Sequence, residues 1–194
     1  LITAREIEAV EKRLLATGYR YTVSAMISQR ERPDAYKPLA GTGDPATFSF
    51  EHAEARTAPA ATQGREARGQ GDNVVQYGQN TSGIARYFRN SDQVMHCLSA
   101  GVDSDTIAII DDSGGTLTAP ILEKFKGVIC AGGTVRSHLG ILTREYGIPC
   151  LMNAKISGIR EGDRVEIETS GPAKTGEMYQ RNEELSVRVW KLPS

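Results

Sequence analysis

Residues 130–151 read CAGGTVRSHLGILTREYGIPCL. The run that leads into them, Gly127, Val128, Ile129 and Cys130, has the composition of a short buried strand. Gly132 and Gly133 then let the backbone turn with little side-chain bulk. From Ser137 onward the pattern changes: Leu139, Leu142 and Tyr146 recur at spacings of three and four, which predicts a helix, and Gly147 and Pro149 end it. His138 therefore stands where a strand-and-turn segment gives way to a helix. The first amides of a helix have no internal partner and carry partial positive charge, so an anionic group on this imidazole meets donors already aimed at it. Phosphate is such a group.

Outward from this stretch the chain alternates. Residues 106–111, with Ile107, Ala108, Ile109 and Ile110 in succession, give the strongest strand signal. A turn follows, then a short helix opened by Thr118 and Pro120 that presents Ile121, Leu122 and Phe125. Beyond Pro149 the pattern predicts a strand over 150–152, a Gly162-Asp163 turn, a strand through Val165 and Ile167, and a closing edge strand over 185–190. The domain is expected to start near Asn73-Val74-Val75, with an earlier strand over 83–88. Alternating strands and helices with β-rich flanks argue a mixed, layered α/β domain over 73–194. Residues 1–72 read as an N-terminal helical and irregular extension: a capping box at Thr3 and Glu6 opens a helix that ends near Gly18, and a strand is expected over 19–27. The stretch 31–72, broken by Pro33, Pro38, Pro45 and Pro59 and by five glycines, reads as a loose arm.

Composition narrows the function. With 23 Lys and Arg against 24 Asp and Glu, the net charge is −1, which supplies no field for nucleic acid or anionic lipid. No apolar run approaches the ~20 residues of a membrane span. Three cysteines, Cys97, Cys130 and Cys150, occur without a CxxC pair, so reduced thiols and a cytoplasmic setting are expected. Their spacing from His138 does not make a zinc site. His52 and His96 have no comparable setting and read as structural or exposed. Neither a GxxxxGK[ST] loop nor a cluster of metal-binding carboxylates is present, although phosphoryl transfer needs cationic clamps.

Gly132-Gly133, Ser137-His138, Ile141, Arg144-Glu145 and Gly147-Ile148-Pro149 together resemble the phosphohistidine signature of the phosphoenolpyruvate-utilising enzymes, among them pyruvate phosphate dikinase, phosphoenolpyruvate synthase and rifampin phosphotransferase. The resemblance is to their mobile, swivelling domain and covers roughly residues 74–178. It implies the swivelling β/β/α fold and a carrier role in which His138 moves a phosphoryl group between two active sites. Gly133, Thr134, Arg136, Ser137 and Arg144 are the candidate phosphate-binding residues around it. Arg136 stands where the family usually has a small hydroxyl residue or Asn. No cofactor is expected on this chain alone. ATP or phosphoenolpyruvate and Mg2+ are expected on partner domains, nucleotide-binding (ATP-grasp-like) or substrate-binding, and the chain is expected to be a phosphotransferase component rather than a whole enzyme.

Two other readings compete. One is a non-catalytic regulatory subunit that keeps a degenerate swivelling domain, favoured by Thr134 and Arg136. The other is a small hydrolase that uses Cys130 or Cys150 as nucleophile.

Overall fold

The computed structural model describes residues 3–16, 47–60, 64–89, 91–111 and 114–193. Helix α1 spans Ala4–Ala16. Its expected capping box is formed: the Thr3 N–H and hydroxyl both donate to Glu6 Oε2, and the Glu6 N–H donates to Thr3 Oγ1. The strand expected over 19–27 lies outside the described residues.

The remaining order is β1 (Thr57–Ala58), β2 (Glu66–Asn73), β3 (Thr81–Tyr87), α2 (Ser91–Ala100), β4 (Thr106–Ile110), α3 (Gly114–Thr118) and a 3-10 helix (Ala119–Lys124). After these come β5 (Gly127–Cys130), α4 (His138–Glu145), β6 (Cys150–Ile156), β7 (Arg164–Ile167), α5 (Gly176–Gln180) and β8 (Val187–Lys191). Strands β3, β4, β5 and β6 pair in parallel, each joined to the next through a helical crossover. Antiparallel strands complete the sheet in the order β2-β6-β5-β4-β3-β7-β8, and β8 pairs back onto β2. The sheet is thus a closed, barrel-like ring with helices laid on its parallel side. Closure leaves those strands without an open edge.

The parallel strands read as unbroken apolar runs because both of their faces are covered. In β4, Ile107 and Ile109 point into the ring while Ala108 and Ile110 face the helices. The same alternation puts Ile129 inside with Val128 and Cys130 outside, and Leu151 inside with Cys150 and Met152 outside. The helix-side layer is completed by Val94, Leu122, Phe125 and Leu139. A layered α/β architecture is therefore present.

Several expectations need correction. The arm expected over 31–72 does not hold for its described part. β2 lies between β6 and β8 in the ring. Phe48, Phe50 and Tyr87 form an edge-to-face triad with centroids 5.0–5.5 Å apart at the interior core. Tyr87 Oη donates to the Ile159 carbonyl at 2.7 Å, and the Phe50 N–H donates to Tyr87 Oη at 3.3 Å. Burying each of these Phe rings contributes about 1.5–3 kcal/mol, which ties residues 48–50 to the core. Proline and glycine density masked this because 47–50 is held by long-range aromatic packing rather than by periodic structure. β2 ends at Asn73, and Val74 beyond it packs under the helices. The closing strand is no edge, since β8 pairs with both β7 and β2. The helix expected to open at Thr118 is a 3-10 helix over Ala119–Lys124, and a short α-helix, Gly114–Thr118, precedes it. Two helices, α2 and α5, were not anticipated. In α2 the exposed Met95 and Leu98 blur the apolar stripe, and α5 has only five residues, capped where the Met178 N–H donates to Thr175 Oγ1 at 3.2 Å.

Candidate functional site

At the C-terminal end of β5 the chain is held on both sides before it reaches His138. The Ala131 N–H donates to the Ile110 carbonyl at 2.8 Å, and the Gly132 carbonyl accepts from the Asn153 N–H at 2.9 Å. Gly133 then takes a φ of 65°, a left-handed conformation that favours glycine. A tight turn follows, in which the Ser137 N–H donates to the Thr134 carbonyl at 2.9 Å and the Arg136 N–H to Thr134 Oγ1 at 3.2 Å. Ser137 is the extended N-cap residue of α4, with its carbonyl accepting from the Ile141 N–H at 3.0 Å.

His138 is the first residue of that helix and is exposed. The Ser137 side chain makes no capping hydrogen bond, and its Oγ is buried without a partner. A buried hydroxyl beside uncapped helix amides retains a donor and an acceptor for a group that arrives there. One turn along the same face stands Ile141, 42% exposed, and beyond it Tyr146 is also open to solvent.

The charge beside His138 is cationic. Arg136 is exposed, takes part in no salt bridge among the described residues, and lays its aliphatic stem alongside Gly176 at the start of α5. Arg144 reaches back along α4, and its Nη2 donates to the Val135 carbonyl at 3.3 Å. The fold thus gathers Gly133, Thr134, Arg136, Ser137, His138 and Arg144 into one turn and one helix. Imidazole, hydroxyl, backbone amide and guanidinium groups suit phosphate oxygens, whereas Mg2+ takes oxygen ligands, chiefly carboxylates and phosphates. No group of three His, Cys, Asp or Glu residues converges among the described residues.

The thiol reading does not survive the structure. Cys130 and Cys150 are fully buried. Cys130 Sγ donates to the Asp111 carbonyl at 3.4 Å, and burial pushes the Cys150 thiol up to about 12. Neither thiol reaches solvent as a thiolate nucleophile.

Residues important to the site's geometry went unseen in the sequence. Gly140 sits against the 134–135 backbone with no room for a side chain; its place in the first turn of the helix was the one available signal. Asn153 and the Asp72–Lys174 pair lie far from the loop in sequence, and no local pattern links them to it.

A family model described as the PEP-utilising enzyme mobile domain matches residues 102–170. The match runs from just ahead of β4 to just beyond β7 and takes in the whole of the turn and α4. A search of curated proteins gives no match.

Proposed function

We propose, from the match of residues 102–170 to the mobile domain of PEP-utilising enzymes, that His138 is the phosphoryl carrier of a multi-part phosphotransferase. The observation that carries this reading is the exposure of His138 at the first position of α4, directly after the glycine turn and inside the matched segment. A neutral imidazole nitrogen attacks the phosphorus of the donor. The N–P bond forms as a P–O bond breaks, the electron pair departs on the donor's oxygen, leaving the shortened nucleotide from ATP or the enolate of pyruvate from phosphoenolpyruvate, and the proton on the other ring nitrogen passes to solvent. Delivery reverses the sequence toward an acceptor oxygen at a second site.

This chain's share is presentation. The first-turn amides of α4 stabilise the bound phosphoryl by about 0.3–1 kcal/mol, enough to orient it and far too little to drive its transfer. Arg136, with no ion pair to satisfy it, supplies a forked donor for the equatorial oxygens. The nucleotide or phosphoenolpyruvate, and the Mg2+ that neutralises it, belong on partner domains that close over His138. Ile141 gives such a partner an apolar contact beside the reacting nitrogen.

Incubation with radiolabelled ATP or phosphoenolpyruvate, Mg2+ and a nucleotide-binding or phosphoenolpyruvate-binding partner tests the proposal. An acid-labile, alkali-stable label that disappears in His138→Ala supports it. Label that persists in that variant overturns it.

A further inference from the structure

We infer that Asn153, braced by the buried Asp72–Lys174 pair, is a positioning residue that sets the turn presenting His138; the inference rests on the carrier reading above. The first observation is a break in the β2–β6 ladder. Gln70 pairs with Lys155 and Asp72 with Met152, so Asn153 and Ala154 together oppose the single residue Gly71. This is a β-bulge on β6, a device that bends a strand and re-aims its groups. Gly71 permits it: a Cβ at that position would stand 3.2 Å from Ala154 Cα and from Leu151 Cβ.

The second observation is what the bulge redirects. Asn153 adopts a φ of 49°, one of two non-glycine residues in the left-handed region among the described residues. Asn tolerates that region better than most side chains, at a cost that the surroundings must offset. In this conformation the Asn153 N–H donates at 2.9 Å to Gly132, immediately before the left-handed Gly133 and six residues before His138.

The third observation explains what holds the bulge. Asp72, 5% exposed, faces Lys174, whose Nζ is 3.2 Å from both carboxylate oxygens. Burial pushes the Asp72 carboxyl above the ordinary carboxylate range, against the opposing pull of Lys174 and of the Asn153 side-chain amide. The Lys174 N–H donates to the Asn73 carbonyl at 2.8 Å, so both members of the pair are fixed to β2. A buried ion pair is weak evidence of stabilisation, since replacing it with apolar groups is often neutral. A specificity role, holding one bulge geometry among alternatives, accounts better for its presence here. Asp72 and Lys174 lie on opposite sides of the matched segment 102–170, so the brace is built from its flanks.

Two substitutions at one position separate positioning from packing. Both substitutions remove the side-chain amide that faces Asp72, but Asn153→Gly keeps the N–H and the left-handed backbone, whereas Asn153→Ala makes that backbone unfavourable. In the full chain, phosphoramidate serves as a small phosphoryl donor that needs no partner, and labelling is followed at His138 with His52 as internal reference. Asn153→Ala is expected to slow labelling at His138 by about tenfold, the rate equivalent of one hydrogen bond, with Asn153→Gly within about twofold of the parent. Amide resonances of residues 133–139 should shift in Asn153→Ala and stay in place in Asn153→Gly. The double variant Asp72→Leu/Lys174→Met, which removes the pair without leaving a lone charge, should reproduce the Asn153→Ala shifts while still folding. Unshifted resonances in Asn153→Ala, or equal shifts in Asn153→Gly, overturn the inference; should the double variant fail to fold, the Asn153 pair alone decides. If the resonances behave as expected but His138 of the parent chain labels no faster than His52, the carrier reading fails and the positioning survives.

Discussion

Gly140 lies so close to Val135 that a Cβ at position 140 would stand 2.8 Å from the Val135 carbonyl oxygen. The first turn of α4 is thereby pressed onto the turn that precedes His138, backbone against backbone. Gly140→Ala gains up to about 1 kcal/mol of helix propensity but must push the helix off the turn, an overpacking cost of about 1–3 kcal/mol. The expected outcome is a net loss with a fall in Tm of a few degrees, and a slower gain of phosphoryl at His138. Calorimetry and labelling on the same variant check both; an unchanged Tm with unchanged labelling counts against the close-packed turn.

The placement of β2 makes a claim about minimal size. A fragment beginning at Val74 removes the strand that joins β6 to β8 and opens the ring, whereas a fragment beginning at Thr47 keeps both. The shorter fragment should fail to show a cooperative unfolding transition and the longer should show one, measured by circular dichroism. Trypsin should leave Arg68 uncut in the native chain, since it lies within β2.

The buried thiols predict both reactivity and pH dependence. Iodoacetamide at pH 8 should modify one cysteine of the native chain, the half-buried Cys97, and all three after denaturation. Cys150 rises from about 9 to about 12 through burial, so the folded state keeps a proton that the unfolded state releases. A group raised in this way contributes stability that is complete below pH 9 and lost as pH climbs toward 12, at up to about 1.4 kcal/mol per pH unit. Tyr87, raised by burial, adds a slope of the same sign above pH 10. Denaturant titrations between pH 7 and 10.5 should show this decline, and Cys150→Ala should flatten its first part.

Arg136 supports no structure that its loss would undo. Because it is exposed and forms no salt bridge among the described residues, Arg136→Ala should change stability by less than about 0.5 kcal/mol. Phosphoryl uptake from a partner should nonetheless fall about tenfold, the value of one charge-assisted hydrogen bond, and Arg136→Lys should recover part of it. Equal uptake in all three forms would assign Arg136 to solvent.

The parallel core and the site turn were legible in the sequence because their determinants are local. Ile107 to Ile110 announces a strand covered on both faces, and Gly132-Gly133 followed by Ser137-His138 and the Leu139, Leu142 spacing gives turn and helix without tertiary information. What could not be read depends on partners far along the chain. Phe48 and Phe50 stand among prolines and glycines, and only the Tyr87 ring reveals them as core. Asp72 and Lys174 are 102 residues apart, and closure of the ring by β8 on β2 has no counterpart in either strand's own pattern. Gly69 and Gly71 in β2 argued against a strand, yet there they admit the close approach of β6.

The most direct measurement compares the three histidines of one chain. His52, His96 and His138 are all exposed, so exposure alone does not distinguish them. Only His138 stands at the start of a helix beside Arg136 and the partnerless hydroxyl of Ser137. After treatment of the folded chain with phosphoramidate at neutral pH, peptide mass spectrometry under alkaline conditions should find phosphohistidine at His138 at least about ten times faster than at His52 or His96. That preference should vanish when the chain is unfolded in urea. Equal labelling of the three histidines in the folded state would contradict the assignment of His138 as a built phosphoryl carrier.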